Sequence, residues 1–87
     1  MLRITITRSA DAGTLKVEGR LAGLWVSELS RAATAARAER PRVVLDLGEV
    51  TFVDSEGIAL LRALREGGIA LAGCSSFVAS LIDGGRP

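Results

Sequence analysis

The stretch Val43-Val44-Leu45-Asp46-Leu47 leaves this chain few ways to fold. It is almost continuously apolar, and Pro41 and Gly48 stand on either side of it. Such a run suits a central strand covered on both faces, as in α/β sheets. The flanking patterns are helical. Before it, a helix is expected from Leu24 to Arg40, where Pro41 stops it. Its apolar stripe is Trp25, Leu29, Ala32, Ala33 and Ala36, with Glu28, Arg31, Thr34 and Arg37 mainly on the other side, so Trp25 is expected in the core. After it, Asp54-Ser55 opens a second helix with Ile58, Leu61 and Leu64 inward, Arg62, Arg65 and Glu66 outward, and Gly67-Gly68 at its end.

The remaining segments complete an alternating order. Leu2, Ile4 and Ile6 alternate with Arg3, Thr5 and Thr7, the period of a half-buried strand. Asp11-Ala12-Gly13 is turn chemistry, and Leu15 and Val17 resume the alternation up to Gly19, which predicts an antiparallel hairpin. Ile69-Ala70-Leu71-Ala72 reads as a further strand. Ser75 or Ser76 then caps a last helix bearing Phe77, Val78, Leu81 and Ile82, ended by Gly84-Gly85. The order is β-β-α-β-α-β-α, an α/β fold with a mixed sheet, an N-terminal antiparallel hairpin and about three helices. Right-handed crossovers make the later strands parallel. Residues 1–87 form one domain, with Leu45, Leu47, Leu61, Leu64 and Trp25 expected to be buried.

Composition excludes much chemistry. The chain has no His and no Tyr, and Cys74 is its one cysteine. An intrachain disulfide is therefore impossible, no Cys/His cluster exists to hold a soft metal, and nucleophilic catalysis lacks its usual histidine base. No metal and no cofactor is expected. A net charge of +1 with acids and bases interspersed gives no footprint for nucleic acid. Arg37, Arg40 and Arg42 are better explained by the end of the first helix, where cations suit the dipole, than by a phosphate site. The N-terminus lacks a signal-peptide core and no apolar run would span a bilayer, so a cytoplasmic location without membrane insertion is expected.

The informative segment is Val50-Thr51-Phe52-Val53-Asp54-Ser55-Glu56-Gly57-Ile58, expected as the connection between the central strand and the second helix. Ligands and partners of open α/β sheets meet the fold at such carboxyl ends of strands. Asp54 or Ser55 serves as an N-cap, and Glu56 suits the helix dipole. Gly57 has no local explanation: inside a helix it costs about 1 kcal/mol relative to Ala. It permits close approach, either of a partner or of another part of the same chain.

From Val43 through Leu61, with Leu45-Asp46-Leu47 followed by Asp54-Ser55-Glu56-Gly57, the sequence resembles STAS domains, which include bacterial anti-sigma-factor antagonists and the cytoplasmic domains of sulfate transporters. Gly19-Arg20-Leu21 before the first helix and the order of elements agree. The resemblance implies a non-enzymatic module that binds a protein partner, either a switch kinase acting as anti-sigma factor or a transporter subunit, through Asp54, Ser55, Glu56 and Gly57. The antagonists resembled carry a phosphorylatable Ser or Thr where this chain has Glu56, so the usual switch cannot operate there. Ser55 matches the neighbouring position, and its phosphorylation is not expected. Gly19-Arg20-Leu21-Ala22 departs from the family's Gly-x-Leu-Asp, and the chain stops short of the final strand and helix of longer members. Three roles stand open for Glu56: a match for a basic patch on a different partner, a first-turn acid, or a weak mimic of phosphate. Alternatives to an antagonist are an accessory subunit of an ABC lipid transporter and a nucleotide- or small-ligand-binding STAS domain. A carboxylate-pair hydrolase built on Asp54 and Glu56 is disfavoured, because the two acids project differently and no substrate cradle is evident.

Overall fold

A computed structural model describes residues 2–9 and 11–82, with Phe77 described in its backbone only. The described residues form β1 (Leu2–Arg8), β2 (Ala12–Leu21), α1 (Leu24–Glu39), β3 (Arg42–Val53), α2 (Ser55–Glu66), β4 (Ala70–Ala72) and α3 (Ser76–Ile82). The strands lie side by side in the order β1-β2-β3-β4. β1 and β2 are antiparallel, while β2/β3 and β3/β4 are parallel. This is the expected α/β fold with a mixed sheet and an N-terminal hairpin.

Side chains sort the sheet into two unlike faces. Leu15, Val17 and Leu21 of β2 and Val43, Leu45, Leu47 and Val53 of β3 are buried, whereas Lys16, Arg20 and Phe52 are exposed. α1 packs on β2 and β3, and α2 packs on β3 and on both other helices. The helices therefore cover a single face, completed by Leu29, Ala33, Leu61, Val78 and Ile82. The central strand is not covered on both faces as expected. Val44 and Asp46 are half-buried on the open side, where no helix lies over them.

Several boundaries differ from the sequence expectation. The hairpin turns earlier, at Ser9 to Ala12, where the Ser9 amide and hydroxyl both donate to the Ala12 carbonyl at 2.8 and 3.1 Å. Gly13 is already in β2, opposite Arg8. Gly19 does not end β2, which runs to Leu21. Nor does Gly48 end β3: Val50 to Val53 belong to the strand. Parallel pairing of Gly19 with Val50 and Leu21 with Val53 holds them, and β3 absorbs its extra residues as bulges. The Gly48 amide donates to Asp46 Oδ1 at 3.0 Å, fixing the first bulge.

Two core expectations also change. Trp25 is 38% exposed and Leu24 is 85% exposed. Trp25 and Val26 lie four and three residues before buried Leu29, so either fits the helical stripe; Val26 packs on the core and Trp25 is left at its margin. Leu64 is half-buried, as is Ile58, while Leu61 is fully enclosed. Arg62 does not simply face out. Its Nε and Nη2 donate to the Ile82 and Leu81 carbonyls at 2.7 and 3.1 Å, tying α2 to the end of α3. Ser75 Oγ accepts from the Val78 amide at 3.2 Å and caps α3. The packing expected of Phe77 and the stop expected at Gly84-Gly85 lie outside the described residues.

Candidate functional site

The site forms where β2 and β3 end together and two helices begin. Leu21 and Val53 are paired in the sheet, and the Asp54 amide donates to the Leu21 carbonyl at 3.1 Å. This fixes Asp54 as the N-cap of α2. Its Oδ1 accepts from the Gly57 amide at 2.7 Å, satisfying one of the donors a helix leaves free at its start. Its Oδ2 accepts from the Gly23 amide at 3.0 Å. Gly23 is the N-cap of α1, has φ of 61°, and supplies no side chain of its own. One carboxylate thus caps its own helix and secures the start of the other. The Gly23 amide, and after it the Gly57 amide, holds the Asp54 carboxyl below its ordinary range, because both bonds favour the ionised form.

Gly57 answers a contact inside the fold. A Cβ there would lie 2.8 Å from Val53 Cγ1, 2.9 Å from the Leu21 carbonyl oxygen and 3.1 Å from Leu21 Cγ. The residue is buried, and the close approach it permits is taken up by Leu21 of the same chain. A partner therefore cannot meet Gly57 itself. Ser55 and Glu56, which precede it in the first turn of α2, are exposed.

The motif residues thus divide by role. Asp54 and Gly57 set the turn in place, while Ser55 and Glu56 present it to solvent. The Asp54–Gly23 bond also brings in two residues that helical periodicity had placed otherwise or passed over, exposed Trp25 and Leu24 at the start of α1. The signal was available in principle: Leu24-Trp25-Val26 is a longer apolar run than one inward stripe can use. Nearby, the Arg20 guanidinium stands 4.6 Å over the Phe52 ring at the end of the open sheet face.

At the opposite end of the helices the arginines tie neighbouring elements together, beyond ending α1 itself. Arg37 Nη2 donates to the Gly67 carbonyl at 2.9 Å, and Arg40 Nε to the Ser9 carbonyl at 3.1 Å. Arg8 pairs with Glu39 at 3.1 Å.

The family described as Mlab, STAS domain matches residues 4–83. The chain belongs to the STAS family. No curated protein matches the sequence. Among solved structures, an anti-sigma factor antagonist from Mycobacterium paratuberculosis superposes with a TM-score of 0.74 at 20% identity, over 97% of this chain and 79% of that one. The anti-sigma factor antagonist SpoIIAA in its unphosphorylated form gives 0.71 at 14% identity, over 95% and 80%. At these identities the likeness is one of fold. A third structure, of Mglu, gives 0.63 at 25% identity over 78% of this chain, which spans only 18% of that protein's length. Among the described residues, no helix of this STAS domain is long and apolar enough to cross a membrane.

Proposed function

We propose that this STAS domain is a non-enzymatic interaction module that docks a protein partner through the first turn of α2. The observation that carries the proposal is the division of labour at Asp54 to Gly57: two residues are consumed in holding the turn, and the two between them are left exposed. Asp54 uses both carboxylate oxygens on backbone amides, which speaks against its service as a general base beside Glu56. Exposed Leu24 and Trp25 beside the turn add apolar area of the kind that anchors interfaces. The partner class is an anti-sigma factor, with a transporter subunit as the second possibility. Because position 56 is Glu, the contact is constitutive, without a phosphate switch at that position.

The test starts from the partner recovered with the protein from its native cells. Glu56→Lys reverses a charge where like-charge contact costs several kcal/mol, so affinity should fall by at least about a hundredfold. The same change at a helix start affects the fold by only roughly 0.3–1 kcal/mol, so circular dichroism should stay native. Glu66→Lys, at the far end of α2, serves as the control. Unchanged affinity of Glu56→Lys would place docking elsewhere, and stoichiometric phosphate on Ser55 by mass spectrometry would restore a switch.

A further inference from the structure

The two margins of the sheet are protected unequally. β4 offers only Ala70–Ala72, and shortness is itself a barrier to strand addition. β1 forms the other margin and runs for 7 residues. Its register with β2 is unbroken from Leu2↔Gly19 to Arg8↔Gly13, so no bulge turns it away from a neighbour. It contains no proline, and no charge lies between Arg3 and Arg8. An edge of this length and flatness is a template for another strand.

The side chains indicate which strand. Along the helix-covered face, Leu2 is 7% exposed, Ile4 is half-buried and Ile6 is 46% exposed. Beside Ile6 a notch of about 60 Å³ opens between β1 and α1, lined by Gly13, Ala32, Ala35 and Ala36 and edged by Arg8, Glu39 and Arg40. α1 packs chiefly over β2 and β3, so the helical layer stops short of this margin.

We propose that β1 is the seam of a symmetric dimer, in which a second copy adds its own β1 antiparallel with Thr5 opposite Thr5. Of the possible antiparallel registers, this one pairs the whole strand from Leu2 to Arg8. It is also self-complementary. Ile4 of each copy faces Ile6 of the other, which covers the exposed isoleucines and the notches beside them. Arg3 stands opposite Thr7 and Arg8 opposite Leu2, so no like charges are directly opposed. A slip by one residue would turn the isoleucines to the open face. The two-fold axis runs perpendicular to the sheet and keeps both helical layers on one side. Such an isologous contact uses up both long edges and closes. The start of α2 follows β3, two strands away from the seam, so the dimer does not depend on the docking surface or block it.

The 87-residue chain itself is the probe. Sedimentation velocity from micromolar to millimolar concentration should show the mass doubling, and Ile6→Lys should weaken association at least about tenfold with native circular dichroism. Thr5→Cys and Thr7→Cys, each made with Cys74→Ser, test the register under mild oxidation. Directly opposed residues of antiparallel strands have Cα atoms about 4.5–5.5 Å apart, within disulfide reach. Thr5→Cys should therefore give a covalent dimer, while Thr7→Cys, which faces Arg3, should not. A chain that sediments as a monomer throughout would overturn the proposal. So would a dimer that is indifferent to Ile6→Lys and crosslinks equally through both cysteines. Should Ile6→Lys fail to fold, the two cysteine variants decide the register alone.

Discussion

A methyl group on Gly57 would meet Val53 Cγ1 at 2.8 Å and the Leu21 carbonyl oxygen at 2.9 Å. The carbonyl cannot retreat, because it also accepts from the Asp54 amide. Gly→Ala within a helix ordinarily stabilises by about 0.4–1 kcal/mol through the unfolded state. Here the sign should reverse, with Gly57→Ala destabilising by about 1–3 kcal/mol as α2 is forced off the sheet end. Chemical denaturation of that variant decides the matter, and a gain in stability would refute the close contact. Leu61 gives the complementary case. It is fully enclosed, and Leu61→Ala should cost roughly 2–5 kcal/mol on the same measurement. Periodicity placed Leu61 correctly because a residue in the middle of the inward stripe has no rival. It misplaced Trp25 because a residue at the end of a stripe does: Val26 fitted as well and took the core position.

Among the elements, the two helix starts behave as one unit through Asp54. Its folded pKa lies below its ordinary value, held there first by the Gly23 amide and then by the Gly57 amide. The sign follows from linkage: a depressed carboxyl contributes stability that is fully present above its unfolded pKa of about 3.9 and is lost as pH falls through the lower folded value. Acid titration of stability should therefore show this loss below about pH 4 in the native chain. Asp54→Asn should lack that component while being less stable at neutral pH. Equal acid sensitivity in the two proteins would mean that the carboxylate does not join the helices. The N-cap itself was legible, since Asp before a helical pattern has a known local use. The bond to Gly23 was not, because it crosses 31 residues of sequence. The end of β3 was misjudged for a similar reason. Gly48 is punctuation when seen locally, whereas pairing with β2 carries the strand through it to Val53.

For the molecule as a whole, exposed Leu24 and Trp25 lie at the end of the fold where α1 and α2 begin. Trp25 is the single tryptophan of the chain, so its emission reports on this end alone. In the free protein it should emit as a partly hydrated indole and be quenched by acrylamide. Bound to the docking partner it should shift to the blue and become protected. An unchanged spectrum in a saturated complex would exclude α1 from the interface. Element order, strand direction and the greater part of the core followed from the sequence, because alternation, helical stripes and Pro or Gly stops are local patterns. Every segment had to bury its apolar face, which left few arrangements. The tertiary structure decided that the helices share one face, that Gly57 serves Leu21, and that Asp54 binds Gly23. It also decided that Leu24 and Trp25 stay outside. These outcomes depend on which surfaces meet across the fold, and residues far apart in sequence carry no mark of one another until the chain has closed around them.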